Sequence, residues 1–196
     1  MKIRILGIDP ALANTGFCRA IYDVPTGLVS VDRFRLLHTE RADHKQVRRS
    51  SDYLRRARDI LDALREEAAG CALAVAEIPQ GGQSAAAASA LMLATGVLAA
   101  CPVPLIEISP QEVKAVVRGS GGVAKVEKAE VIDFALNRHP EAPWLRQNSR
   151  GAPRFLNKNE HLADALVAVY AGLRTPMFQQ AVAMALQMEA LGKEAL

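Results

Sequence analysis

Lys2-Ile3-Arg4-Ile5-Leu6-Gly7-Ile8-Asp9-Pro10 decides the fold. Its apolar run is too short for a helix and stops at an Asp-Pro turn, so it reads as a strand buried on both faces. Two more strands follow at 15–22 and 28–37, set off by turns at Ala13-Asn14 and Pro25-Thr26-Gly27. Over 45–69, Tyr53, Leu54, Ala57, Ile60, Leu61 and Leu64 keep helical spacing until Gly70. A buried strand at 72–78, an Ala-rich helix at 84–100 and a short strand at 103–108 come next. Ser109-Pro110-Gln111-Glu112 then opens a helix with a Ser cap, Pro in the first position and Glu three after the cap. Gly119-Ser120-Gly121-Gly122 ends it, and further helices are expected at 125–137 and 160–173. Between them, 142–159 reads as a polar, basic loop without periodicity. Three leading strands followed by alternating helices and strands predict an α/β fold. Its mixed five-stranded sheet has a meander that continues into a parallel part, with helices on both faces. Residues 1–175 are expected to form one domain and 176–196 a C-terminal helical tail for packing or dimerisation.

The chain has 196 residues, half of them apolar and 23% charged, enough for a core and unlike a disordered protein. Cys18, Cys71 and Cys101 are too few and too scattered for a disulfide framework or a zinc knuckle, and fit a reducing, cytoplasmic setting, of the cell or of a phage host. The basic start lacks the long apolar region of a signal peptide. Residues 78–106 carry no charge, but Pro79, Pro102 and Pro104 sit near their ends and no Lys/Arg cluster flanks them. A helix and a strand buried within the domain are expected there, with no membrane span.

Two acids close buried strands: Asp9 and Glu77. A carboxylate there is costly unless paired, protonated or metal-bound. On parallel neighbouring strands both emerge at one sheet edge, where open α/β sheets bind ligands; alternatively each is simply the first polar residue of a loop. Glu160-His161-Leu162-Ala163-Asp164-Ala165-Leu166 adds His161 and Asp164, three apart on one face of an otherwise apolar helix. Together, three acids and a histidine would suit two divalent ions acting on a phosphodiester; alternatively His161 and Asp164 are a helix-start charge interaction with the dipole and a satisfied histidine.

Ile5-Leu6-Gly7-Ile8-Asp9-Pro10, with Thr15-Gly16-Phe17 after it, resembles the first motif of RuvC-type Holliday junction resolvases, of the ribonuclease H-like superfamily. Val75-Ala76-Glu77 is similar to the family's second acidic strand. Val113-Lys114-Ala115-Val116-Val117, a Gly-rich loop and Lys125 resemble its two-lysine segment, and His161-Leu162-Ala163-Asp164-Ala165-Leu166 its final motif. The resemblance covers residues 1–173. It implies a metal-dependent, structure-selective endonuclease that resolves Holliday junctions by paired phosphodiester hydrolysis in DNA recombination and repair. Asp9 would bridge two Mg²⁺ ions per site, with Mn²⁺ as an alternative. Glu77, His161 and Asp164 would complete the ligand set, His161 doubling as a proton shuttle, and Lys114 and Lys125 would lie near the scissile phosphate. The implied partner is a four-way DNA junction, bound by a homodimer. Many members carry Asp where His161 stands, and some carry an aromatic where this chain has Gln80. Rival readings are a ribonuclease H-like nuclease for other branched or hybrid nucleic acids, and a junction-binding protein without cleavage. A sugar-kinase or actin-like ATPase shares Gly-Ile-Asp but needs two lobes.

The net charge of +3 hides segregation. Residues 41–58 hold seven basic side chains against two acidic ones, and 138–158 hold five against one, leaving the remainder acidic. Such clustering suits phosphate binding, although the first segment also reads as a solvated helix face. The expected nucleic-acid contacts are Lys114, Arg118, Lys125, Arg146, Arg150, Arg154 and Lys158. Trp144 and Phe155 either stack on bases or anchor the loop to the core.

Overall fold

A computed structural model describes the chain apart from residues 43–46, 79–80, 82–83, 120–125, 148–153 and 195–196, and apart from the side chains of 147, 154, 155 and 189–194. Among the described residues, seven strands and six helices follow in the order β1 (Lys2–Asp9), β2 (Asn14–Asp23), β3 (Leu28–His38), α1 (Arg49–Ala68), β4 (Leu73–Glu77), α2 (Ala85–Leu98), β5 (Leu105–Ile108), α3 (Pro110–Arg118), α4 (Lys128–Arg138), β6 (Arg146–Gln147), β7 (Arg154–Phe155), α5 (Asn159–Leu173) and α6 (Pro176–Glu194). The main sheet runs β3-β2-β1-β4-β5. β1, β2 and β3 are antiparallel neighbours, and β1, β4 and β5 are parallel. The expected mixed sheet with helices on both faces is what the chain forms.

Strand alternation sorts the core into two layers. Ile5, Cys18, Ala20, Leu73 and Val75 face α3, α4, α5 and the start of α6. Leu6, Ile8, Phe17, Ala74 and Ala76 face α1 and α2. The central helix is α5, whose Leu162, Ala163 and Ala165 to Val169 are fully buried. It lies unusually close to the sheet because glycine lets it. A Cβ on Gly7 would stand 2.0 Å from the Ala165 carbonyl oxygen, and one on Gly16 would stand 2.1 Å from that of His161.

Three local expectations need correction. The uncharged stretch 78–106 does not give a buried helix: of α2, only Ala94 and Leu98 are buried, and Met92 is exposed. Alanine has little apolar area, so leaving an Ala face at the surface costs little. Among the described residues no helix is long and apolar enough to cross a membrane. The segment 142–159 is not wholly irregular, since β6 and β7 pair as a short antiparallel hairpin. Asn159, 1% exposed, closes its base like a backbone unit: Leu145 N–H donates to Oδ1 at 2.9 Å, and Nδ2 donates to the Leu145 carbonyl at 2.8 Å. Finally, α1 starts at Arg49 and α4 at Lys128, not at 45 and 125. Phe178 of α6 is buried against Tyr22, with ring centroids 5.4 Å apart.

Candidate active site

Asp9 and Glu77 continue the odd-numbered face of their strands, so both carboxylates point to the α5 side. Register places them side by side, since Ile8 pairs with Ala76 one residue earlier. α5 crosses above them and brings His161 and Asp164, one turn apart, over the strand ends. α3 begins with a capping box, Ser109 with Glu112, and Pro110 in its first turn, which fixes the approach of Lys114. α4 begins with a second box, Glu127 with Glu130, and presents Lys128. The result is a cleft of about 260 Å³ lined by Asp9, Glu77, Asp164, Lys114 and Lys128, with walls that include Pro10, Pro110, Val113 and Val131.

The electrostatics are those of crowded anions. Burial first, then the Asp9 charge, pushes the Glu77 carboxyl up, with Lys114 pulling the other way. Asp164 is pushed up to about 8, by burial first and then by Asp9 and Glu77. His161 Nδ1 donates to Asp9 Oδ2 at 2.8 Å, and that bond is the main reason its pKa is raised. Its Nε2 lies 3.9 Å from Glu160 Oε1, which accepts from Lys128 Nζ at 3.0 Å. Among the described residues no group of three His, Cys, Asp or Glu side chains is closed tightly enough to hold an ion as it stands. The donor set nevertheless fits one. Carboxylate oxygens are the hard donors that Mg²⁺ and Mn²⁺ prefer, and His161 could supply a nitrogen donor once its bond to Asp9 opens.

A pH dependence follows for the metal-free protein. The folded pKa of Asp164 lies above its unfolded value near 3.8, so between these pH values the folded state holds a proton that the unfolded state has lost. Its stability contribution is complete below pH 3.8 and is lost as pH rises through about 8. Melting curves in EDTA should show that fall between pH 5 and pH 8, with Asp164→Asn flattening it; an equal slope in both proteins would exclude Asp164 as its source.

No family model matches the chain, and no curated protein matches it in sequence. Solved structures do match. Thermus thermophilus RuvC in complex with Holliday junction substrate is 18% identical with a TM-score of 0.56, over 87% of this chain and 92% of that one. Another Thermus thermophilus RuvC structure is 20% identical, with the same TM-score and coverage. The yeast mitochondrial Holliday junction resolvase is 15% identical with a TM-score of 0.54, over 88% of this chain and 79% of that one. The chain has the ribonuclease H-like fold of the RuvC-type resolvases.

Within this RuvC-type fold, the four residues expected as ligands gather at one end of the sheet, and Lys114 joins them. Lys125, Arg150 and Gln80 lie outside the described residues, as does the side chain of Arg154. The second lysine of the described cleft is Lys128, three residues beyond the one singled out from sequence. Arg118 does not face outward alone: it forms a two-pronged pair with Glu130, 2.8 Å and 2.6 Å from Nη2, tying the end of α3 to α4. Lys158 is exposed beside the hairpin, as is Arg146 within it. Trp144 is an anchor, buried against Phe34 with its indole N–H on the His139 carbonyl at 2.7 Å. Much of the basic segment before and in α1 is bonded internally. Arg56 is buried on Thr39, and Arg55 contacts Asp52, Asp59 and the Glu40 carbonyl. A larger hollow of about 650 Å³ lies at the far end of β1 beneath α6, lined largely by apolar residues such as Leu73, Phe178 and Val182 and by no carboxylate.

Proposed function

We propose that the protein is a metal-dependent endonuclease that resolves four-way DNA junctions by paired phosphodiester hydrolysis. The observation that carries this reading is one cleft holding Asp9, Glu77 and Asp164, three acids from distant parts of the chain, with Lys114 and Lys128 beside them. The fold shared with RuvC-type resolvases supports it. Asp9, Glu77, Asp164 and His161 would hold two Mg²⁺ or Mn²⁺ ions. Bound there, these would supply an activated water and stabilise charge on the leaving oxygen.

The chain's own groups do the rest. Lys114 and Lys128 place ammonium donors where non-bridging phosphate oxygens would enter. His161, between Asp9 and Glu160, can hold or move a proton at either ring nitrogen. The basic hairpin that Asn159 closes enters α5 directly, so Arg146, Arg150, Arg154 and Lys158 would track the DNA backbone next to the reacting phosphate. Lys125 is assigned to the same path, whereas Arg118 serves the α3–α4 tie. Paired nicks in two-fold DNA imply a homodimer.

The test is cleavage of a synthetic four-way junction with Mg²⁺ and with EDTA, mapping the nicks, beside matched flap and RNA–DNA hybrid substrates. Symmetric nicks in the junction, dependent on Mg²⁺, are expected. Preferential cutting of flaps or hybrids would favour a different branched-nucleic-acid nuclease, and binding without cutting in both Mg²⁺ and Mn²⁺ would overturn the enzymatic reading.

A further inference from the structure

Lys128, Glu160, His161 and Asp9 form a continuous line whose two ends, Lys128 and Asp9, line the cleft. Lys128 Nζ donates to Glu160 Oε1 at 3.0 Å, that oxygen lies 3.9 Å from His161 Nε2, and His161 Nδ1 donates to Asp9 Oδ2 at 2.8 Å. The arrangement is closed to an ion at two points. A ring nitrogen carrying a proton has no lone pair to give, and the Asp9 oxygen that accepts it is engaged as well. The other ring nitrogen, which carries no proton in this tautomer, lies just beyond hydrogen-bond range of the Glu160 carboxylate. What holds that carboxylate is Lys128, whose ammonium is largely exposed at the entrance.

We propose that Glu160 is a positioning residue that couples the arrival of DNA to assembly of the metal site. A phosphate at the entrance takes Lys128. Glu160, released, accepts the Nε2–H of His161. The ring keeps a single proton throughout, on Nδ1 before and on Nε2 after, exchanged through water. The Nδ1 lone pair and both Asp9 oxygens then face the cleft together. A carboxylate behind a metal-binding histidine selects its tautomer in this way, and its loss weakens metal affinity by about 10- to 100-fold. The inference rests on the metal site of the proposed function and gives Glu160 a role that no ligand position requires.

The experiment titrates Mn²⁺ into the full chain, followed by the electron paramagnetic resonance signal of free Mn²⁺, with and without short unbranched duplex DNA. In the wild type, duplex should tighten Mn²⁺ binding by about tenfold. Glu160→Ala should abolish that gain, and Glu160→Gln, which keeps an acceptor oxygen, should restore most of it. Lys128→Met should show the tighter binding with no DNA present, and duplex should then add nothing. Duplex-induced tightening that survives Glu160→Ala, or Lys128→Met affinity equal to wild type without DNA, would overturn the proposal. Asp9→Asn separates the two levels. If it removes Mn²⁺ binding while the Glu160 variants behave as wild type, only the coupling fails; if it binds Mn²⁺ like wild type, the metal site itself is misplaced and both readings fall.

Discussion

Asp9→Asn should lower junction cleavage by about a thousandfold or more, equivalent to about 4 kcal/mol of transition-state stabilisation, while leaving junction binding largely intact. Asp9 stands at the centre of the site. It ends β1 beside Glu77, it accepts the proton of His161, and its charge contributes to raising both Glu77 and Asp164. Asparagine keeps the shape and an acceptor for His161 but removes the anion. The basic side chains expected to meet phosphate are untouched, so filter binding or fluorescence anisotropy in EDTA should give nearly the wild-type affinity. The same change should bring the Asp164 titration down, which carboxyl-selective NMR reads without any substrate. Cleavage that persists in Asp9→Asn would move the active site elsewhere.

Gly7→Ala should cost about 3 kcal/mol or more of stability, at the upper end for one added methyl group, measured by urea unfolding. The added carbon would sit 2.0 Å from the Ala165 carbonyl oxygen and 2.7 Å from Val169 Cγ2. Neither is the free end of a flexible side chain, so α5 itself must lift from β1. Because α5 carries His161 and Asp164, whatever protein remains folded should also lose cleavage. Gly96→Ala is the contrast: it lies in α2 with nothing within 4 Å of its added carbon. It should be neutral or stabilising by up to about 1 kcal/mol, because alanine favours helix and restricts the unfolded chain. Equal stability of the two variants would contradict the close seating of α5.

Asp9 and Glu77 are legible in sequence because each stands at the end of an apolar strand, whose two-residue repeat then fixes the face each takes. Ile5 and Val75 facing α5 is enough to send Asp9 and Glu77 there too. Lys114 is legible in sequence and stands in the cleft, Lys125 lies outside the described residues, and Lys128 carries no sequence signal of its own. The run Gly119-Ser120-Gly121-Gly122 has no period, so nothing nearby marks where the next helix begins. The marker is the Glu127–Glu130 box, which starts α4 at Lys128, but a glutamate at the cap is a weaker signal than serine or aspartate. The exposure of α2 is not legible in sequence because alanine counts as apolar while contributing little to burial. The place of Trp144 depends on Phe34, more than a hundred residues earlier, and on the His139 carbonyl, pairings that no local pattern encodes. The motif residues are few and scattered, and whole-chain comparison found the likeness in backbone geometry at 20% identity or less.

The central claim is that Asp9, Glu77 and Asp164, with His161, hold divalent ions. Anomalous diffraction from crystals soaked in Mn²⁺ tests it most directly. Peaks bounded by these three carboxylates are the predicted result; a map with Mn²⁺ bound only at other positions, and none in this cleft, would contradict it.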